Sequence, residues 1–332
     1  MLGLFVLHGN GPNFYQMAGF WRRDQQWSTM AGHLSYRQFK AQIDALNPPP
    51  YHKLSQNKLA EKAIMTLMGI PTPRFLGLLD RECGRDTTGA PLCTAEDIVR
   101  LISRDAADRV CFKLVEGSGG KGFVAVDVLR DGPEPRFRPL QALSSSSASH
   151  VSDTRDADTY SASELVARLG DEARVIESYL EQHPAYAALN PTSVNTMRIW
   201  VLRQAGKTSA KLGYLRVGRA GSLVDNHHAG GIVIPIDLGT GRLSEGSDGR
   251  ATGRTFPVHP DHGTTIKGAV LPMFAEAKEL AERCLTVFPY MNFAGMDVAM
   301  TPNGPAILEA NVQPSRNGAA QVGIPTKDIF GL

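Results

Sequence analysis

The chain has 332 residues, 42% of them hydrophobic and 20% charged, with a formal net charge of +2. That length admits two or three compact units with sizeable cores, and the balanced, interspersed charge gives no electrostatic case for a nucleic acid or a membrane as partner. Four cysteines, Cys83, Cys93, Cys111 and Cys284, have neither metal-type spacing nor the density of a disulfide framework, which suits a reducing, cytoplasmic setting.

Met1 to Leu7 is apolar but short and lacks a basic leader, so it reads as a strand or short anchor, not a signal peptide. No apolar stretch approaches the roughly 20 residues that span a bilayer. Residues 13–46 place Trp21, Trp27, Phe39 and Ile43 among charges and amides and look helical, and Asn47-Pro48-Pro49-Pro50 then breaks the chain. Ser55 is placed to cap a helix over Gln56 to Met68, with Leu59, Ala63, Ile64, Leu67 and Met68 on one face. Gly69 stops it, and Pro71-Thr72-Pro73 leads into an extended Phe75 to Leu79. After a loop from Glu82 to Pro91, Thr94 opens a helix whose apolar stripe is Ile98, Leu101 and Ile102.

Val110 to Val115 and Phe123 to Val128 are strand-like and bracket Glu116-Gly117-Ser118-Gly119-Gly120-Lys121-Gly122, which suggests a hairpin. Ser144 to Ser163 reads as a surface loop or flexible insertion, and Glu164 to Leu169 as a short helix. Strands follow at Val175 to Leu180, Thr196 to Arg203, Lys211 to Val217 and Ile232 to Leu238, the second and third adjacent. Ile266 to Val287 is the longest amphipathic helix candidate. Two last strands, Ala294 to Met300 and Ala306 to Asn311, are joined by a Pro302-Asn303-Gly304-Pro305 turn. No internal repeat is visible.

Three features carry chemistry. In the last hairpin, Glu309 and Asn311 are two apart and share a face. If Asp297 faces them across the ladder, three hard oxygen ligands meet, as Mg²⁺ carrying nucleotide phosphates requires. The run from Gly117 to Gly122 matches the dinucleotide fingerprint, but a strand follows it where that motif needs a helix. It also matches the protein-kinase glycine loop, yet no kinase catalytic-loop or D-F-G sequence follows, and Lys121 lacks the Ser or Thr of a Walker A loop. What remains is a glycine hairpin whose N–H groups can close over phosphates, or a plain surface turn. Lys113 interrupts the apolar run Val110–Val115; buried, it needs a partner such as a phosphate, while alternation also permits it to face solvent.

Other polar positions are less decisive alone. Arg198, after Ser193-Val194-Asn195-Thr196-Met197, either faces a phosphate cluster or is a surface strand charge. Asp225-Asn226-His227-His228-Ala229-Gly230-Gly231 reads as a pocket-shaping loop or an ordinary one, because adjacent strand histidines point to opposite faces and do not chelate together. Lys58 reads as a solvated helix charge. His259-Pro260-Asp261-His262 reads as a turn, and Cys111 as core.

In their order along the chain, Lys58 before Gly69-Ile70-Pro71-Thr72-Pro73, Lys113, the glycine hairpin, Val175 to Leu180, Arg198, and Asp297 with Glu309-x-Asn311 resemble an ATP-grasp enzyme over about residues 53–318. Pro191 to Arg198, Gly230-Gly231-Ile232 and Asp297 through Asn311 are similar to the sugar-transfer-associated ATP-grasp group, related to α-L-glutamate ligases. The resemblance implies an α+β fold in which two lobes grip ATP. It divides the chain into a divergent N-terminal segment (1–52), a helical α+β part (53–108), a small lobe (109–182) and a large lobe (183–332).

The resemblance also implies roles. Lys113 holds the α- and β-phosphates, and Gly117, Ser118, Gly119, Gly120, Lys121 and Gly122 fold over the β- and γ-phosphates, with Lys58 on the same cofactor. Glu177, Tyr179 and Leu180 form the adenine hinge, and Glu181 or His183 reaches the ribose. Asp297, Glu309 and Asn311 bind Mg²⁺. Arg198 and Arg316 stabilise the transferring phosphoryl group, and Asn195, Asn226, His228, Gly230 and Gly231 line the substrate site. The implied activity is a carboxylate–amine ligase working through an acylphosphate, on an amino-acid, peptide or sugar-linked substrate. A small-molecule kinase and a non-catalytic nucleotide-binding module are the alternatives.

Overall fold

The computed structural model describes residues 2–23, 25–117, 119–141, 159–225, 230–248 and 253–332. The architecture is α+β, and contacts divide the chain into two compact units. One comprises Met1–Gln56, Ala63–Thr72 and Glu181–Leu332; the other comprises Asn57–Lys62 and Pro73–Leu180. Contacts thus group the first 56 residues with Ala63–Thr72 and Glu181–Leu332.

The Pro73–Leu180 unit is built on β1 (Phe75–Leu79), β2 (Arg85–Asp86), β3 (Arg109–Leu114), β4 (Val124–Leu129), β5 (Arg136–Pro139) and β6 (Arg174–Ser178), in the order β2-β1-β6-β3-β4-β5. All its pairings are antiparallel. The expected hairpin is β3–β4, with Phe112 opposite Val124 at its closed end. Helices Ala95–Arg104 and Ala162–Leu169 start on capping boxes, Thr94 with Asp97 and Ser161 with Glu164. Their apolar stripes, Ile98, Leu101 and Ile102 on one and Leu165 and Leu169 on the other, close the core against Phe112, Val126, Phe137 and Ile176.

The other unit carries β7 (Thr196–Gln204), β8 (Lys207–Val217), β9 (Ile232–Pro235), β10 (Gly246–Ser247), β11 (Thr255–Phe256), β12 (Phe293–Thr301) and β13 (Gly304–Asn311), in the order β11-β10-β9-β8-β7-β12-β13. Alternation gives the sheet two different faces. Met197, Ile199, Val201, Leu215, Met296 and Val298 join a core with the helix Phe274–Val287. On the opposite face Trp200, Leu202, Leu212, Tyr214 and Phe293 receive Phe39 and Ile43 of the helix Tyr36–Leu46 and the C-terminal Ile329 and Phe330. The same face continues into a charged cluster described below.

Several local expectations change. The N-terminal apolar run is a helix, Leu2–His8, not a strand; it buries Leu4 against Phe14 and Phe20. Ser55 lies within a short helix, Lys53–Gln56, and the cap of the next helix, Lys58–Leu67, is Asn57, whose Oδ1 accepts from Ala60 N at 3.0 Å. Leu67 at the end of that helix and Met68 just past it face solvent while Glu61 and Lys62 are buried, the reverse of what periodicity suggested. The long C-terminal helix begins only at Phe274, because Pro272 lacks an N–H and Met273 takes a left-handed φ of 54°. Of the expected loop Ser144–Ser163, residues up to 158 lie outside the described ones, and its end instead opens the helix Ala162–Leu169, capped by Ser161.

Candidate functional site

In the Pro73–Leu180 unit the polar centre is Glu177 on β6, 2% exposed. Its Oε2 accepts from Lys113 Nζ at 2.6 Å and its Oε1 lies 2.8 Å from Lys62 Nζ. Lys113 comes from β3, which pairs with β6, and Lys62 from the helix that starts at Lys58. Burial pushes the Glu177 carboxyl up, but the two ammoniums outweigh it and hold the group below the usual carboxylate range. The same burial pulls Lys62 down against the attraction of Glu177. Lys113 thus meets an internal carboxylate here, and Glu177, expected at the adenine hinge, is its counter-ion. Lys113 keeps a side-chain exposure of 17%, against 5% for Lys62, so of the two it is the one open to a further anion.

The glycine hairpin hangs from the same elements. Lys58 Nζ donates to the Gly117 carbonyl at 2.9 Å and Lys58 N to the Val115 carbonyl at 2.9 Å. Gly119, Gly120 and Gly122 all have φ between 65° and 74°, a left-handed run that side chains rarely follow. A Cβ on Gly122 would also lie 2.9 Å from Leu114 Cδ1. Lys121 is exposed beside them, and Ser118 lies outside the described residues. At the end of β6, Tyr179 N donates to the Arg109 carbonyl and the Arg109 guanidinium lies 5.2 Å from the Tyr179 ring centroid. Leu180 is half-buried.

In the other unit the centre is Asp297, on β12 between Arg198 on β7 and Glu309 on β13. Arg198 grips it with Nε on Oδ1 and Nη2 on Oδ2, the latter at 2.9 Å. Arg216 of β8 adds Nη2 on the same Oδ2 at 2.9 Å. Burial opposes charge here too, but the two guanidiniums hold the Asp297 carboxyl down at about 2. Burial likewise opposes the Arg198 charge, and Asp297 keeps that guanidinium firmly protonated. Beyond Arg216 lies Asp225, 3.4 Å from its Nε, which also accepts from the Thr196 N–H and hydroxyl. Burial raises Asp225 despite Arg216, so Asp297 is the firmer anion of the two.

Asp297 pairs with Glu309 and Gly295 with Asn311, so the hairpin brings the three expected ligands together as the strand period required. Asn311 Nδ2 donates to Glu309 Oε1 at 3.2 Å, which sets amide and carboxylate side by side. Glu309 and Asn311 supply two hard oxygens, and Mg²⁺ with phosphates and water around it needs few more from protein. Asp297 fits a cation site less well, since both its oxygens already hold guanidiniums. Among the described residues, no group of three or more His, Cys, Asp or Glu is arranged to hold a metal ion.

The remaining expected residues scatter. Asn195 is fully buried: Nδ2 donates to the Tyr186 and Asn190 carbonyls, and Oδ1 accepts from Ser193 Oγ and Gly218 N. All four bonds go to the surrounding chain, which fixes the turn into β7. His183 caps the helix Pro184–Ala187, accepting from Ala185 N at 3.1 Å, and Glu181 beside it is exposed. Gly230, with φ 90°, and Gly231 are buried where the chain enters β9. Asn226 and His228 lie outside the described residues. Arg316 does not join Arg198; it donates to Asn10 Oδ1 and the Leu34 carbonyl in the N-terminal segment.

Sequence reasoning missed Lys62 and Arg216, and it took Asp225 only as part of a loop. Lys62 is four residues from Lys58 and shares its helix face, which was the available signal. Arg216 lies opposite Thr196 on β8, a position visible only once the β7–β8 register is known.

Residues 37–325 match the model of a family described as sugar-transfer associated ATP-grasp. No curated protein matches the chain. Solved structures similar to it include a D-alanine–D-alanine ligase from Coxiella burnetii (12% identity, TM-score 0.44, covering 84% of this chain and 56% of that one). An N5-carboxyaminoimidazole synthetase from Staphylococcus aureus complexed with ADP gives 13% identity and a TM-score of 0.47, over 90% of this chain and 59% of that one. An L-amino acid ligase from Bacillus licheniformis gives 11% and 0.41, over 81% and 43%. The chain spans about half the length of these structures.

Proposed function

Because the chain belongs to the sugar-transfer-associated ATP-grasp family, we propose that it is an ATP-dependent carboxylate–amine ligase working through an acylphosphate. The observation that carries this reading is the β12–β13 hairpin, where Glu309 and Asn311 stand beside an arginine-clamped Asp297. Glu309 and Asn311 hold Mg²⁺, which supplies charge neutralisation and alignment for the nucleotide phosphates. Lys113 and the glycine hairpin hold the phosphates, and Tyr179 and Leu180 meet the adenine.

In the first half-reaction a substrate carboxylate oxygen attacks the γ-phosphorus. The bond to the β–γ bridging oxygen breaks, and ADP leaves as the acylphosphate forms. Arg198 and Arg216 stabilise charge on the transferring group, already oriented by Asp297 and so needing little reorganisation. An uncharged amine then attacks the acyl carbon, the amine loses a proton, and inorganic phosphate leaves with its C–O bond broken. Neither half needs a protein nucleophile; positioning does the work. Four free thiols suit a reducing compartment that holds ATP, and among the described residues no helix is long and apolar enough to cross a membrane.

The test is Mg²⁺-dependent release of ADP and phosphate with pooled amino acids, peptides and sugar acids, and mass spectrometry of the products. A product lighter by one water than its two components, with stoichiometric phosphate, is expected. A phosphorylated product would replace the ligase reading with a kinase. Lys113→Met should weaken ATP binding by about tenfold or more; unchanged affinity would remove Lys113 from the nucleotide.

A further inference from the structure

Among the described residues, no carboxylate meets the charge of Arg316. Its Nη1 donates to Asn10 Oδ1 and to the Leu34 carbonyl, each at 2.6 Å, and its guanidinium lies 3.7 Å from the centroid of the Phe14 ring. All three partners are neutral, and burial draws its pKa down to about 10 with no acidic group among the described residues to offset it. Charges withdrawn from water are ordinarily paired, or else they receive a ligand.

Arg316 is among the residues lining a cavity of about 440 Å³, within the range of small-molecule sites. One wall is the N-terminal segment, with Phe14 on the helix Pro12–Met17 and Phe39 on the helix Tyr36–Leu46. Tyr36 stands at the cavity 66% exposed, an aromatic face with little of its own to cover it. The other wall is Gln313 to Asn317, which leaves β13 two residues after Asn311. Lys40 is also there, but Asp44 already pairs with it, so Arg316 is the cation that selects.

The cavity and the arginine clamp share one face of the sheet. Phe39 packs with Trp200 and Tyr214; Trp200 is two residues from Arg198, and Tyr214 is opposite Arg198 in the ladder. Between clamp and cavity wall lies Gly295: a Cβ there would come within 2.9 Å of Arg198 Cδ and 3.2 Å of Pro314 Cβ.

The geometry points to this cavity as the seat of the carboxylate substrate, a small ring-bearing acid whose carboxylate binds Arg316 and whose ring lies against Tyr36. The idea rests on the ligase reading, which requires a carboxylate near Glu309 and Asn311. A guanidinium fork matches a carboxylate in two-point contact, and an exposed aromatic face matches the apolar face of a sugar or aromatic ring. The N-terminal segment, which the sequence left without a role, then builds half of the substrate site.

The test is titration calorimetry of the full chain with D-glucuronate and 4-hydroxybenzoate, each against its uncharged counterpart, D-glucose or phenol. At least one acid should bind about tenfold or more tighter than its neutral partner, and the preferred acid tells a sugar ring from an aromatic one. Arg316→Gln should abolish that preference, and Tyr36→Ala should weaken the acid severalfold. If Arg316→Gln fails to fold, having lost its ties to Asn10 and Leu34, the exposed Tyr36 carries the test. Failure of both acids to outbind their neutral counterparts at millimolar concentration, or acid binding untouched by the substitutions that fold, would overturn the proposal. Mg·ATP is titrated into the wild type in parallel. ATP binding without acid binding sinks the cavity alone, and acid binding without ATP binding sinks the ligase reading alone.

Discussion

Lys62 Nζ lies 2.8 Å from Glu177 Oε1, and both side chains are 5% exposed or less. The pair is completed by Lys113 on the other carboxylate oxygen, so one buried anion orders two cations. Glu177→Gln would leave both ammoniums facing an amide in a low-dielectric site. A loss of about 3–5 kcal/mol in unfolding free energy is expected, as for other broken buried pairs. Lys62→Met should cost clearly less, because Glu177 keeps Lys113. Urea denaturation of the two variants decides it, and equal losses would contradict the assignment of Glu177 as the shared anchor.

Asp297 and Glu309 should behave differently when neutralised. Asp297→Asn removes the counter-charge of Arg198 and Arg216 together, so stability and turnover should fall together, the former by about 3–5 kcal/mol. Glu309→Gln should abolish turnover while the unfolding midpoint stays within a degree or two, about 0.5 kcal/mol. A Glu309→Gln protein with wild-type turnover would end the metal assignment.

Gly295 is tight enough to report on the clamp. Its missing side chain leaves room for Arg198 Cδ, Pro314 Cβ and Trp200 Cδ1, all within 3.2 Å of where a Cβ would stand. Gly295→Ala should cost about 1–3 kcal/mol by overpacking and reduce turnover by displacing Arg198. A crystal structure of the variant with the Arg198–Asp297 contact unmoved and full turnover would show that the space is not needed.

His33 makes stability depend on pH. The ring is buried against Phe14 and Phe20, and neither nitrogen finds a partner among the described residues. Burial first, and the nearby Arg316 second, lower its pKa from 6.5 to about 4. Between those values the unfolded chain binds the proton more tightly, so stability is complete above about pH 6.5 and declines as pH falls toward 4. The full effect is about 3 kcal/mol. Thermal melts at pH 7, 5.5 and 4 should show a steeper fall for wild type than for His33→Leu, and parallel profiles would exclude His33 as the cause.

What could be read in advance was whatever depends on short-range periodicity. The β3–β4 hairpin, the helix start at Thr94 and the shared face of Glu309 and Asn311 follow from alternation, caps and turn residues close in the chain, whereas the Ser161 cap lies in a stretch that reads as loop. The family resemblance, too, rested on residues in a fixed order, and the match over residues 37–325 agrees with it.

Tertiary structure decided the partners. A helix bearing Lys58, Glu61 and Lys62 reads as solvated on its charged face, and only the approach of β6 buries Lys62 against Glu177. Likewise Arg216 and Asp225 become part of the Asp297 cluster through long-range pairing of β8, which no local pattern encodes. Arg316 shows the same limit from the other side: expected beside Arg198, it instead meets Asn10 and Leu34, 306 and 282 residues away in sequence. Charges act through space over a few ångströms, so a charged residue's role is set by whichever element folding brings beside it, and sequence spacing constrains that only within one helix or one hairpin.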